Sequence, residues 1–244
     1  MPPADRTGRL FLLPVPLADG AIDTLPAATV AVARGLDYFL VENAKSARAA
    51  LQLLGHPRPI ATLELVQIGH HPTAANAVAW LAPIQAGRDG AVMSEAGCPG
   101  VADPGEALVA AAHRAGVPVV PLVGPSAILL ALMAAGGNGQ CFRFAGYLPQ
   151  ERAALAGALA DLERRTRLGE TQIVIETPYR NVRLLEAICA NCADETGLAV
   201  AVDLTGPHQQ VQAGTVAQWR AGRIVPPPLQ RRPAVFVFTA SRTR

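Results

Sequence analysis

The chain has few features of a membrane, secreted or disulfide-bonded protein. Its longest apolar stretch, residues 117–135, is interrupted by three prolines and a glycine, so it cannot form one continuous membrane helix. The N-terminus lacks the charged region, apolar segment and small-residue cleavage site of a secretion signal. Four cysteines in 244 residues are too few for a disulfide scaffold. These absences predict a cytoplasmic protein that does not contact a membrane.

Neither net charge nor metal-ligand residues identify a partner. The Lys and Arg residues number 21 and the Asp and Glu residues 19, so no net basic field favours nucleic acid. Cys189 and Cys192 form a C-x-x-C pair without a second ligand pair, which favours packing at a helix end, with a metal or redox site as the alternative. His70 and His71 are adjacent, so on an extended segment they point to opposite sides, which favours a loop pair. We therefore expect no bound metal.

Three familiar nucleotide-binding and hydrolase motifs are also missing. No G-x-G-x-x-G follows the first apolar run, which disfavours a Rossmann-type pyrophosphate site. The chain contains neither the G-x-x-x-x-G-K-[S/T] of a P-loop nor the G-x-S-x-G of a hydrolase nucleophile elbow. The chemistry must therefore be sought in other loops.

Short apolar runs alternate with Ala- and Leu-rich segments of helical spacing, which is typical of βαβ units around a parallel sheet. In the first half, strands are predicted at 10–15, 38–41, 90–93 and 117–122, and helices at 25–34, 45–54, 73–86 and 106–115. In the second half, strands are predicted at 142–145, 172–175, 198–202, 209–212 and 235–238, and helices at 127–135, 152–167, 179–190 and 216–221. Asn43 and Thr73 are predicted helix N-caps. This pattern predicts two α/β domains, residues 1–122 and 123–244.

Three loops rich in glycine, proline or polar residues follow predicted strands: 94–105 (SEAGCPGVADPG), 123–127 (VGPSA) and 175–180 (IETPYR). Their irregular backbone leaves polar groups for a ligand, and α/β domains bind ligands at the carboxyl ends of strands. If the two domains face each other, the loops converge on one cleft. The alternative is structural. In that interpretation Asp103 caps a helix that begins at Pro104, while Ser126 and Thr177 cap the helices after them.

Five segments, in this order, resemble the tetrapyrrole-methylase-fold (class III) S-adenosylmethionine methyltransferases. They are residues 10–17 (LFLLPVPL), 94–105, 119–127 (VVPLVGPSA), 144–149 (FAGYLP) and 176–180 (ETPYR), and they extend over nearly the whole chain. Within that fold they are most similar to the branch of the small-subunit ribosomal RNA 2′-O-ribose methyltransferases, in a short form without the C-terminal extension.

The resemblance implies a mostly parallel sheet in the first α/β domain, a mixed sheet in the second, and S-adenosylmethionine in the cleft between them. It also implies a homodimer, with ribosomal RNA or the small ribosomal subunit as partner. The positions that match the family's donor-binding loops are Pro14, Pro16, Ser94, Glu95, Ala96, Pro99, Val101, Asp103, Ser126, Ala127, Phe144, Gly146, Tyr147, Glu176, Pro178, Leu204, Thr205, Gly214 and Thr215.

Two departures from the family patterns leave the methyl acceptor open. The first loop lacks the G-x-G-P-G-D of the tetrapyrrole methylases, which disfavours a tetrapyrrole. Residues 42–45 (ENAK) stand where the ribosomal branch has E-D-T-R. The alternatives are RNA, a tetrapyrrole or other small molecule, and a non-catalytic module that binds adenosyl ligands or a protein.

Methyl transfer requires alignment of the nucleophile and exclusion of water more than it requires catalytic side chains. A hydroxyl acceptor is assisted by a general base, for which Glu42, Lys45, Glu95 and Glu176 are candidates, with Glu42, Lys45 and Glu176 as the predicted catalytic residues. Glu42 and Lys45 have an alternative interpretation as a charge at a helix N-terminus and a solvated helical lysine. Six arginines indicate either a basic patch or ordinary solvated helix surface: Arg48, Arg152, Arg164, Arg165, Arg180 and Arg183.

Overall fold

A computed structural model of the chain describes residues 7–69 and 73–240. The chain divides into two compact units, Met1–Ser126 and Ala127–Arg244. The segment 123–126, expected in the second domain, contacts the first unit: the Thr29 hydroxyl donates to the carbonyl oxygen of Val123 at 2.7 Å. His70 and His71 lie outside the described residues. No helix in the described part of the chain is long and apolar enough to cross a membrane.

The first unit contains a five-stranded parallel sheet with the strand order β3-β2-β4-β1-β5. The strands are β1 (Leu10–Leu12), β2 (Tyr38–Val41), β3 (Glu64–Gln67), β4 (Gly90–Met93) and β5 (Val119–Pro121). The helices are α1 (Ala27–Gly35), α2 (Ala44–Leu53), α3 (Ala74–Gln85) and α4 (Glu106–Arg114), with short 3-10 turns at Ile22–Thr24 and Ile60–Thr62. Asn43 and Thr73 cap α2 and α3, as predicted.

Both faces of this sheet are buried, which explains the continuous apolar runs of its strands. Alternate residues such as Phe39 and Val41 pack with α1 and α2, whereas Leu40 and Val92 pack with α3 and α4 on the other face. Strand β3 was not predicted from the sequence, because this edge strand has only two adjacent apolar residues between exposed Glu64 and Gln67 and therefore no strand periodicity.

The second unit contains a mixed five-stranded sheet with the order β6-β7-β10-β8-β9, in which only β6 and β7 are parallel. Its strands are β6 (Phe142–Tyr147), β7 (Thr171–Glu176), β8 (Gly197–Val202), β9 (Gln210–Thr215) and β10 (Ala234–Thr239). Its helices are α5 (Ala127–Ala135), α6 (Arg152–Arg167), α7 (Asn181–Asn191) and α8 (Val216–Arg220). Both sheets agree with the predicted α/β fold class.

The register of the second sheet decides which of its loops lie together. Ala234 pairs with Glu176 on one side and with Val202 on the other, and Val202 pairs with Gln210. The carboxyl ends of β6, β7 and β8 therefore share one edge with the amino ends of β9 and β10. We call this the Glu176 edge. Thr215, which pairs with Gly197, lies at the opposite edge.

Candidate functional site

The loops after β1 and β4 are joined by backbone hydrogen bonds. The Val15 N–H donates to the Gly97 carbonyl oxygen at 2.9 Å, and the Gly97 N–H donates to the Val15 carbonyl oxygen at 3.0 Å. A side chain at Gly97 would also lie 3.2 Å from Leu17. This short antiparallel bridge holds Pro14 and Pro16 beside the Ser94 loop, where the sequence predicted a shared site.

The loop after β5 joins the same surface. A Cβ at Gly124 would lie 2.3 Å from the Cβ of Pro14, so the two loops are in van der Waals contact only because residue 124 is glycine. The Cys98 thiol donates to the Pro125 carbonyl oxygen at 3.4 Å. Residues 14–17, 94–105 and 123–126 therefore form one continuous surface at the carboxyl edge of the first sheet, which we call the carboxyl-edge surface.

Glu42 supports this surface from the end of β2. It is only 7% exposed, and its Oε2 accepts a hydrogen bond from the Glu95 N–H at 3.1 Å. Glu95 in turn accepts from the Ser46 hydroxyl at 3.0 Å, which ties the loop to α2. Lys45 lies in the first turn of α2 with an exposed side chain. The two predicted catalytic residues of the first unit thus differ in environment: Glu42 contacts the loop, and Lys45 faces solvent.

The 94–105 loop combines buried anchors with an exposed backbone. Ser94 and Pro99 are buried, Asp103 is half-buried, and Glu95, Ala96 and Val101 are exposed. Positive φ angles occur in the loop at Gly97, Gly100, Ala102 and Gly105. Such left-handed positions turn the chain sharply and present backbone polar groups at its surface.

The proposed capping role of Asp103 is wrong. Helix α4 begins at Glu106, and its N-cap is Gly105, which has a φ of 148° and no side-chain cap. Asp103 is therefore not the cap residue of α4, and the loop ends in Gly105. Burial, with a smaller contribution from Asp103, raises the pKa of the Cys98 thiol, so Cys98 is unsuited to act as a thiolate.

In the second unit, the residues predicted from β6 lie at or beside the Glu176 edge. The strand bulges between Phe144 and Gly146, and Gly146 has a φ of 71°. A bulge re-aims the side chains that follow it. Tyr147 at the end of β6 is 56% exposed. Ala127, at the start of α5, is half-buried.

Glu176 is held in an ion pair rather than directed at solvent. Its Oε1 accepts from the Thr177 N–H at 2.6 Å and from the Arg180 Nε at 3.0 Å, and its side chain is 8% exposed. Thr177 does not cap the next helix, because α7 begins at Asn181 with Arg180 in the cap position; the Thr177 hydroxyl instead accepts from Arg180 at 3.1 Å. The Pro178 carbonyl oxygen accepts from the Arg231 N–H at 3.2 Å.

Leu204 and Thr205 follow β8 at the same edge. Leu204 is buried, and Thr205 has a φ of 67°, which is strained for a β-branched residue. The Thr205 hydroxyl oxygen is buried and has no hydrogen-bond partner within the described residues. An unsatisfied buried hydroxyl costs stability, so Thr205 is suited to bond a ligand.

Gly214 and Thr215 are the predicted residues that the structure separates from the others. Gly214 pairs with Leu198 and Thr215 with Gly197, at the edge opposite Glu176 and about 17 Å along β9 from Gln210. Thr215 caps α8 in a reciprocal pair with Gln218. A Cβ at Gly214 would lie 2.3 Å from Ile224, so this glycine allows close packing. Both residues have structural roles.

Two residues that shape the Glu176 edge were missed from the sequence. Asp203, with a φ of 53°, accepts from the His208 N–H at 3.0 Å and from the Arg232 guanidinium at 3.3 Å. The fully buried Asn181 donates to the Arg232 carbonyl oxygen at 2.7 Å. A lone asparagine on the apolar face of a predicted helix was the available signal for Asn181, whereas Asp203 had none.

The cysteine pair packs at a helix end, as predicted. Cys192 terminates α7 and is buried in the core of the second unit, where burial raises its pKa to about 12. Between residues 7 and 69 and between 73 and 240, no group of three or more His, Cys, Asp or Glu side chains is placed to hold a metal ion.

Comparison with known proteins gives a consistent family signal. Residues 15–219 match the model of the tetrapyrrole (corrin/porphyrin) methylases. Ribosomal RNA small subunit methyltransferase I of Mycobacterium bovis is 32% identical over 225 residues, covering 90% of this chain and 75% of the relative. The protein of the same name from Synechocystis sp. is 31% identical over 214 residues, covering 86% of this chain and 71% of the relative.

Solved structures share the fold at lower identity. The methyltransferase CobJ superposes with a TM-score of 0.63 and 19% identity, covering 97% of this chain and 96% of that chain. Uroporphyrin-III C-methyltransferase from Thermus thermophilus, in complex with S-adenosylhomocysteine, superposes with a TM-score of 0.55 and 18% identity, covering 95% of this chain and 97% of that chain.

Proposed function

Because this chain belongs to the tetrapyrrole methylase family and is an S-adenosylmethionine-dependent methyltransferase, we propose that it methylates a ribose 2′-hydroxyl of small-subunit ribosomal RNA. The relatives that support this acceptor are named for small-subunit ribosomal RNA and are 31–32% identical to the chain. The tetrapyrrole enzymes share its fold at 18–19% identity.

We propose that the methyl donor binds on the carboxyl-edge surface. The observation that carries this proposal is the mutual contact of the loops after β1, β4 and β5, through the Val15–Gly97 bridge and the Pro14–Gly124 contact. Carboxyl ends of parallel strands are the usual ligand sites of α/β sheets. The proposed contacts are Pro14, Pro16, Ser94, Glu95, Ala96, Pro99, Val101, Asp103 and Ser126.

The second unit supplies further proposed donor contacts on or beside the Glu176 edge, together with Ala127. The Thr205 hydroxyl supports this part of the proposal, since it is a buried polar atom that fits a hydroxyl or nitrogen of an adenosyl group. The remaining proposed contacts are Phe144, Gly146, Tyr147, Glu176, Pro178 and Leu204. Gly214 and Thr215 are not included, because they lie at the opposite edge. The expected location of the donor in a cleft between the domains stays a prediction.

When bound, S-adenosylmethionine supplies an activated methyl group, so the chain's residues mainly position the acceptor and exclude water. We propose Glu42 as the general base, because its carboxylate is held against the Glu95 backbone at the proposed donor surface. Exposed Lys45 lies in the first turn of α2, three residues after Glu42, and is suited to hold a phosphate of the acceptor. Glu176 acts as a positioning residue, because its carboxylate orients Arg180 and the backbone of Thr177.

The first experiment is calorimetric titration with S-adenosylmethionine, for which we expect one saturable site. Absence of binding at millimolar donor would reject the enzyme and favour a module that has no donor site and binds a protein. The second is transfer of a tritiated methyl group to ribosomal RNA from a strain that lacks the protein, compared with wild-type RNA. We expect label only in the former. Label in neither RNA would reject the ribosomal acceptor and leave a tetrapyrrole or other small molecule.

The proposed substrate and family also imply a homodimer that acts in the cytoplasm. Sedimentation velocity tests the first implication, and cell fractionation the second. A monomer that methylates RNA at full rate would show that methyl transfer does not require a dimer.

A further inference from the structure

One part of the Glu176 edge carries exposed arginines that the proposed methyl-transfer chemistry does not use. Arg152 begins α6, Arg183 lies in the first turn of α7, and Arg231 precedes β10; all three are exposed. None of the three forms an ion pair within the described part of the chain. By contrast, Arg164 and Arg165, which the sequence also offered as patch candidates, pair with Asp161 near the far end of α6.

Two contacts join these arginines into one surface. The Arg183 guanidinium donates to the Gln150 carbonyl oxygen at 3.5 Å, beside the start of α6, and a small groove between them is lined by Pro149, Gln150 and Arg180 among others. The Arg231 N–H donates to the Pro178 carbonyl oxygen at 3.2 Å, next to Tyr179. These contacts place the start of α6 beside Arg183 and the backbone of Arg231 beside Pro178.

Two of the neighbouring carboxylates form ion pairs, and two do not. Glu151 accepts from the N–H groups of Ala153 and Ala154 at the start of α6. Glu176 is paired with Arg180, and Asp203 with Arg232. Glu151 keeps its negative charge beside Arg152, and exposed Glu186 follows Arg183 by one turn of α7. The surface therefore carries three unpaired arginines against two carboxylates that form no ion pair within the described residues, a small local excess of positive charge.

An exposed aromatic side chain, Tyr179, lies near these arginines. Tyr179 is 82% exposed although it follows a buried strand, and Arg231 beside it has a φ of 56°, a strained conformation for a residue with a side chain. Arginines that bind phosphates, together with an exposed ring on which a base can stack, are the features of single-stranded RNA recognition.

We propose that Arg152, Arg183, Arg231 and Tyr179 form the surface on which single-stranded RNA docks. This inference rests on the proposed function and names the part of the molecule that holds the acceptor strand. The arginines bind successive phosphates, and the Tyr179 ring stacks on a base. Because of that stacking, the surface should bind RNA more tightly than a polyanion that has no bases.

The test measures binding of a short single-stranded oligonucleotide copied from small-subunit ribosomal RNA, over a range of salt concentrations. Replacing all three arginines with alanine should lower the slope of log affinity against log salt by roughly 2, from about 0.7 per lost phosphate contact. Arg167→Ala is the matched control, because Arg167 is exposed at the other end of α6, about 22 Å from Arg152. Its slope should equal that of the wild type.

Tyr179→Ala should weaken RNA binding by roughly ten-fold, and Tyr179→Phe should retain it, because stacking needs only the ring. Calorimetric titration with S-adenosylmethionine reports whether each variant is folded. Three results would overturn this surface while leaving the proposed function intact. They are an unchanged salt slope in the triple variant, a slope in Arg167→Ala that falls as much as in the triple variant, and binding of inorganic polyphosphate as tight as that of the oligonucleotide. Failure of the wild type to bind the oligonucleotide would reject the RNA substrate itself.

Discussion

Glu42 and Lys45 are close in the sequence, yet the fold gives them different surroundings. Glu42 is buried against the Glu95 backbone, and Lys45 faces solvent. We expect Glu42→Gln to lower kcat by about 10²-fold or more, since a general base contributes 10²–10⁴. The glutamine keeps an oxygen acceptor for the Glu95 N–H, so donor affinity should remain. Single-turnover methyl transfer measures this effect.

Lys45→Met serves as the comparison for Glu42→Gln. It should raise KM for RNA while leaving kcat near the wild-type value, because a phosphate contact is lost and no proton transfer is affected. Full kcat in Glu42→Gln would show that Glu42 is not the general base. A loss of kcat in Lys45→Met would also contradict the proposed roles of the two residues.

The four cysteines should react with thiol reagents in an order set by burial and pKa. Cys192 is buried with a pKa of about 12, and burial also raises the pKa of Cys98 and Cys189. The thiolate is the reactive form, and these thiols stay protonated at neutral pH. Exposed Cys141 should therefore label first with iodoacetamide, as followed by mass spectrometry. Rapid labelling of Cys192 in the native protein would contradict its placement in the core.

At the scale of elements, the contact of the β1 and β5 loops depends on Gly124. In Gly124→Ala, the new methyl group meets the rigid Pro14 ring at 2.3 Å, so the loops must separate. We expect a loss of about 1–3 kcal/mol in the free energy of unfolding, as is typical of overpacking, together with weaker donor binding. Denaturant unfolding and calorimetry measure the two effects. Gly35→Ala in α1, where a Cβ meets nothing within 4 Å, is the control: it should lower neither stability nor donor affinity, and its higher helix propensity should add about 0.5 kcal/mol to the free energy of unfolding.

The two edges of the second sheet can be tested with two threonines. Thr215→Ala should cost about 1 kcal/mol of unfolding free energy through loss of the α8 cap, with donor affinity unchanged, and Thr215→Ser should retain the cap.

Thr205→Val removes a buried, unpartnered hydroxyl, so the free energy of unfolding should stay level or rise. Its donor affinity should fall by roughly five-fold, from loss of about 1 kcal/mol of hydrogen bonding. Weaker donor binding in Thr215→Ala would show that the edge opposite Glu176 contributes to the donor site.

Secondary structure was predictable wherever a segment is buried on one side or both. The apolar runs of β2 and β4 and the long helix α6 were placed with their observed bounds, because burial imposes a regular pattern on the sequence. The edge strand β3 was not, since pairing on one side only requires little apolar surface. The roles of Asp103 and Thr177 were also misjudged, because local capping preferences yield to loop conformation and to the Glu176–Arg180 ion pair.

At the scale of the whole molecule, donor binding should stabilise the fold through the loops that contact it. At a free donor concentration of 100 times Kd, linkage adds about 2.7 kcal/mol to the free energy of unfolding. Hydrogen exchange should show new protection at residues 94–105 and 123–126 and at Thr205. Protection elsewhere, with these loops unchanged, would move the donor site away from the carboxyl-edge surface.

The amino-acid sequence by itself determined the alternation of strands and helices, the two α/β units and the family, because burial periodicity and the order of loop motifs are properties of neighbouring residues. The tertiary structure decided which loops lie together. Sheet register joined Pro14, Gly97 and Gly124 at one edge and separated Thr215 from Thr205, and it gathered the arginines of the Glu176 edge from three different elements. Strand pairing between distant segments sets that register, and no local pattern encodes it.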